Sequence, residues 1–137
     1  MKRLLIVACS ASKKATSGDL PALVRYDGTF YRVIRRWLNE APQTNQLTWL
    51  ILSARFGLIH ADTPIPNYDQ RLTVRRAMEL RSQVRQTLED HLTVYGPYTA
   101  TCISLGKGYW PTLDLDAIHE HLGTITRTHG AIGLQAQ

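Results

Sequence analysis

"ILSARFGLIHADTPIPNYDQRL", Ile51–Leu72, begins inside an apolar run, Leu47 to Ser53, that reads as a β-strand covered on both faces. From Ser53 the composition changes. A glycine, two prolines, a histidine, two aspartates and a tyrosine precede the next helical pattern. Proline fixes its own φ and keeps the preceding residue extended, so Pro64 and Pro66 should present Tyr68 and Asp69 from a stiff loop at the strand's carboxyl end.

Outward from this stretch, Lys2 to Cys9 and Ala100 to Leu105 are similar strand-like runs. Between them lie helical stripes. Phe30, Val33, Ile34, Trp37 and Leu38 recur at i, i+3, i+4, i+7 and i+8, and Val74, Ala77, Leu80, Val84, Leu88 and Leu92 trace a second stripe ended by Tyr95-Gly96-Pro97. A third, shorter helix is expected over Asp116 to Leu122. Alternating strands and helices predict one α/β domain over 1–137, three-layered, with a mainly parallel sheet. The tail from about Thr128 carries little core pattern and is expected to fray.

Ligands of such sheets gather outside the carboxyl ends of the strands. Three segments should therefore meet: Ser10-Ala11-Ser12-Lys13-Lys14, Ser53-Ala54-Arg55-Phe56-Gly57-Leu58 and Gly106-Lys107-Gly108-Tyr109. Each sets small residues beside cations. Ser10, Ser12 and Lys13, with Ser53, Gly57, Gly106 and Lys107, are candidate phosphate or anion binders, although the glycine spacing of a P-loop is missing. Gly28 sits where Tyr26-Asp27-Gly28-Thr29 opens a helix whose first N–H groups can face an anion, with Asp27 or Thr29 as its cap. Tyr26 and Tyr68 are candidates to stack on a base, and Asp69 is the candidate catalytic carboxylate. The bland alternatives are a solvated loop, an ordinary helix cap and, for Asp69, a cap on the helix beginning near Leu72.

Sixteen Lys and Arg against eleven Asp and Glu give a charge of +5. The excess favours polyanionic partners. Arg32, Arg35, Arg36, Arg75 and Arg76, together with Arg25 and Arg71, are the candidate nucleic-acid surface, or else the solvated faces of two amphipathic helices. The apolar start, Leu4 to Ala8, is too short to span a membrane and lacks a cleavage pattern, so a cytoplasmic protein is expected. Cys9 and Cys102 form neither a disulfide framework nor a zinc knuckle. His119 and His121 stand at i and i+2, on different helix faces, so no metal is expected; nor is any cofactor, since neither a dinucleotide fingerprint nor a deaminase signature is present.

Tyr26-Asp27-Gly28-Thr29-Phe30-Tyr31, and Leu50–Ile59 followed by Ile65-Pro66-Asn67-Tyr68-Asp69, resemble motifs of the YaaA family of bacterial peroxide-stress proteins. Asn67 stands where that pattern has proline, and Asp69 where arginine is frequent. Cys9-Ser10-Ala11-Ser12-Lys13 and Gly106-Lys107-Gly108-Tyr109 fit a related group of short bacterial and phage domains more closely. The resemblance implies a shared pocket and a link to DNA binding and protection from oxidative DNA damage.

Two functions are therefore expected in competition. One is a nucleotide- or nucleic-acid-directed protein with a strand-end pocket, acting at an N-glycosidic bond or in base modification, where a carboxylate such as Asp69 stabilises an oxocarbenium-like state. The other is a DNA- or RNA-binding module without catalysis. A basic face meeting an acidic protein is a third, without a sequence mark of the partner.

Overall fold

The computed structural model describes residues 2–10, 12–40, 47–116 and 118–128. Strands β1 (Arg3–Ala8), β3 (Leu47–Ser53), β4 (Gly57–His60), β6 (Ala100–Ser104) and β7 (Thr124–Thr128) form one sheet in the order β4-β3-β1-β6-β7. β1 runs parallel to both β3 and β6, and β7 parallel to β6; only β4 is antiparallel. The expected mixed α/β chain with a mainly parallel sheet is thus present. A two-residue ladder joins β2 (Leu20–Pro21) to β5 (Pro64–Ile65).

Alternation along the central strands separates two apolar clusters. Leu4, Ile6, Leu50 and Leu52 pack with Leu80, Val84, Leu88 and Leu92 of α3 (Val74–Tyr95). Leu5, Val7, Trp49 and Ile51 pack with Tyr31 and Ile34 of α2 (Thr29–Glu40), and with Ala22 of the single turn α1 (Ala22–Arg25). Because successive strand residues point to opposite sides, the two helices lie against opposite faces.

Several expectations change. Val74 and Val33 are exposed, so each stripe is narrower than its pattern suggests, while Tyr31, between the counted positions, is buried. The side chains of Trp37 and Leu38 lie outside the described residues, as does the tail beyond Thr128. Asp69 does not cap α3: Thr73 does, accepting from the Arg76 N–H at 3.1 Å. Instead of a helix from Asp116, a 3-10 turn covers only His119–Leu122. Gly123 ends it at φ 66°, with its Cα so close to the Thr99 carbonyl that a Cβ would lie 2.1 Å from it, and the chain enters β7.

The opening stretch also does more than form a loop. After Ser53 the chain doubles back as β4 through Ala54-Arg55-Phe56 and Gly57, whose φ of 76° is the left-handed geometry of a three-residue hairpin.

Candidate functional site at the carboxyl edge of the sheet

β1, β3 and β6 end on the same edge. There the chain after β1 is tied down by backbone bonds: Lys14 N–H to the Arg25 carbonyl and Asp27 N–H to the Ser12 carbonyl, at 2.9 and 2.8 Å. Arg25, fully buried, fastens the rest of that loop. Its guanidinium donates to the carbonyls of Lys14 at 2.6 Å and Thr16 at 2.8 Å, and also to that of Gly18. Arg25 is therefore a structural clasp and no part of a nucleic-acid surface.

Lys13 is thereby placed opposite Tyr26, and its ammonium lies 4.5 Å from the centre of the Tyr68 ring. A cation over an aromatic face is attracted by the ring quadrupole. Beneath it runs a chain of hydroxyls: Tyr68 Oη is 2.5 Å from Tyr26 Oη and 2.9 Å from Ser53 Oγ. Ser53 Oγ accepts the N–H groups of Arg55 and Phe56, which uses both its lone pairs, so its own proton goes to Tyr68. Burial raises the pKa of both tyrosines, and they stay neutral donors and acceptors at physiological pH. Cys9 Sγ lies 3.0 Å from Tyr109 Oη, and burial raises the pKa of that phenol as well. On the other side, Tyr31 donates to the Ala8 carbonyl at 2.6 Å, pinning the start of α2 to the end of β1.

Two concave spaces flank the Cys9–Lys13 loop. One is a cavity of about 280 Å³ walled by Val7, Ala8, Cys9 and Ser10 from β1 and its exit, by Gly28, Thr29, Phe30 and Tyr31 from the start of α2, and by Ser104 and Gly106 from the exit of β6. The other is a more open groove of about 530 Å³ lined by Lys13, Asn67, Tyr68 and Asp69.

The sequence candidates divide accordingly. Ser10, Gly28 and Gly106 meet at the cavity, Lys13 and Asp69 at the groove, with Ser12 and Lys107 exposed nearby. Ser53 and Gly57 belong to the hairpin: Ser53 is fully buried with its oxygen engaged, and a Cβ on Gly57 would lie 2.8 Å from the Gln83 amide nitrogen. Neither faces an anion. Tyr26 is fully buried, and Tyr68 is 8 % exposed with Lys13 over its ring, so neither offers a free face for a base.

The proposed arginine surface divides as well. Arg32 and Arg35 bind Asp27, whose carboxyl is held below the usual range by these two hydrogen-bonded guanidiniums, and Arg35 also donates to the Leu23 and Tyr26 carbonyls. Across the sheet, Arg76 donates to the carbonyls of Ala54 and Arg55, and Arg75 pairs with Glu79. Arg36 is exposed. Helices on opposite faces do not present these side chains as one patch.

Sequence reasoning missed Phe30, Tyr31 and Ser104 as walls and Arg25 as the clasp. Tyr31 and Phe30 were hidden by the helical count, which assigns each residue only to inside or outside. Among the described residues no cluster of His, Cys, Asp and Glu is arranged to hold a metal ion, and no helix is long and apolar enough to cross a membrane.

The protein is thus a mixed α/β chain with a crevice at the carboxyl edge of a mainly parallel sheet. It belongs to a family of unknown function (DUF6884), which matches residues 4–120 and so takes in every segment that meets at this edge. No curated protein and no solved structure matches it.

Proposed function

We propose that this protein binds a nucleotide or nucleic acid at the carboxyl edge of its sheet. The observation that carries the reading is the meeting of three strand or helix ends around one cavity, with the Lys13 ammonium in the adjoining groove. Open α/β sheets hold their ligands at this place, and the first residues of α2, whose N–H groups have no partner within the helix, line it. A three-layer arrangement, with α2 and α3 as the outer layers, gives the crevice its walls. The net charge of +5 draws a phosphorylated ligand in. The resemblance to YaaA proteins agrees with this ligand class and with a role in stress or DNA-damage protection in the cytoplasm.

Catalysis, on this reading, is cleavage of an N-glycosidic bond or a related base modification, with Asp69 stabilising the positive charge that develops on the sugar. Asp69 is exposed in the groove beside Lys13, so Asp69→Asn should leave fold and affinity intact while abolishing base release. A thermal-shift screen of nucleotides and short oligonucleotides tests binding, because a ligand of the native state raises apparent stability. A shift seen with wild type and lost in Lys13→Ala supports the reading; no shift from any of them refutes it. A shift only from oligonucleotides, erased by salt, with Asp69→Asn unchanged, would replace the enzyme with a binding module.

A further inference from the structure

We infer that the 280 Å³ cavity seats one nucleobase and that the Lys13 groove takes the phosphate, so the ligand is a mononucleotide or a single extruded nucleotide, not a duplex. This deepens the nucleotide reading and rests on it. The volume falls just below the roughly 300–1,000 Å³ of whole-ligand pockets. It suits one flat group, not a stacked pair.

Charge decides which end enters. None of the ten cavity-lining residues is Lys or Arg. A phosphate there would exchange its hydration for hydroxyls and helix N–H groups alone, an unfavourable trade for a charged group. A base has apolar faces and polar edges. Val7, Phe30 and Tyr31 match the faces, and Ser10 supplies a hydroxyl at the wall where an edge can be read. The ammonium is in the groove instead, held over Tyr68. The phosphate pairs with that ammonium, in the groove that Lys13 shares with Asn67, Tyr68 and Asp69. Cys9 belongs to the cavity wall and Lys13, at the other end of the same short loop, to the groove, so the two subsites flank one loop.

Cys9 is also the reporter. In Cys102→Ala it is the only thiol, since the chain has 2 cysteines. Its alkylation by iodoacetamide is timed by intact mass with the adenosine, guanosine, cytidine or thymidine 5′-monophosphate, and with ribose 5-phosphate, which carries the phosphate without a base. Binding of each is measured in parallel by calorimetry. The expected result is that a nucleotide at about ten times its Kd slows alkylation roughly tenfold, while ribose 5-phosphate leaves the rate unchanged. Equal protection by ribose 5-phosphate, or nucleotide binding with no protection, would overturn the base assignment and leave the binding reading standing. No binding by mononucleotides or oligonucleotides would remove both. Gly28→Ala supplies a second readout that does not depend on thiol reactivity. Its methyl would lie 2.5 Å from Ser10 Oγ and push that hydroxyl aside. Nucleotide affinity should fall about tenfold with the fold intact; an unchanged affinity counts against the cavity as the base seat.

Discussion

Tyr68 is joined through its hydroxyl to Tyr26 and Ser53 and through its ring to Lys13 and Phe56, so one side chain links the proline-stiffened loop to the hairpin and to the loop after β1. Tyr68→Phe keeps the ring and removes the hydroxyl. It leaves two buried hydroxyls short of a partner, and the expected loss is about 1–2 kcal/mol in urea unfolding, with little change in the position of Lys13. Arg25 is the heavier case. Replacing it with Leu strands the carbonyls of Lys14 and Thr16 around an apolar side chain. A loss of about 3 kcal/mol or more is expected. Because the clasp holds the loop that carries Lys13, nucleotide affinity should fall with it even though Arg25 touches no ligand.

At the scale of elements, the turn before β7 and the exit of β6 make a controlled pair. Gly123 has a positive φ and a backbone oxygen where a Cβ would go, whereas Gly106 has nothing within 4 Å of that position. Gly123→Ala should therefore destabilise the chain by several times the ~1 kcal/mol usual for a single substitution, and Gly106→Ala should leave its unfolding midpoint unchanged. Thr73→Ala removes the cap of α3 and should cost about 1 kcal/mol. Thermal or urea unfolding of the three variants checks all of these. Helix α3 was legible from its stripe because Leu80, Val84, Leu88 and Leu92, four apolar positions at helical spacing, all face one cluster. The hairpin to β4 and the strand β7 were not legible. β4 is only four residues long, and β7 is Thr-Ile-Thr-Arg-Thr, with too little apolar content to announce an edge strand.

For the whole molecule, a pH dependence follows from His91, at the far edge from the site. It is hydrogen-bonded to Tyr98 Oη at 2.7 Å, and its pKa is lowered first by burial and then by the positive potential of His60 and Lys2. The native state then binds fewer protons than the unfolded chain once pH drops below the ordinary histidine value of 6.5. Stability conferred by the neutral ring is intact above that value and is lost as pH falls toward the lowered folded pKa. The urea midpoint should decline from about pH 7 to about pH 5, and His91→Gln should flatten that decline. An unaltered slope in the variant would assign the decline to other groups.

What the sequence by itself determined is the class of fold and the edge at which its loops meet. Those rest on periodicity and on strand and helix order, which are local properties carried by runs of residues. Legible too was the membership of Ser10, Lys13, Gly28, Asp69 and Gly106 in that edge, since each follows or precedes an element end. Only the tertiary structure decided what each side chain does there. It turned Tyr26 and Ser53 inward as hydroxyl partners of Tyr68, made Arg25 a clasp, set Lys13 over a ring that sequence reasoning had left open for a base, and parted the arginines between two faces. The physical reason is that burial and partner choice depend on residues distant in the chain, here up to 100 positions apart for Cys9 and Tyr109, and no local pattern encodes such a meeting.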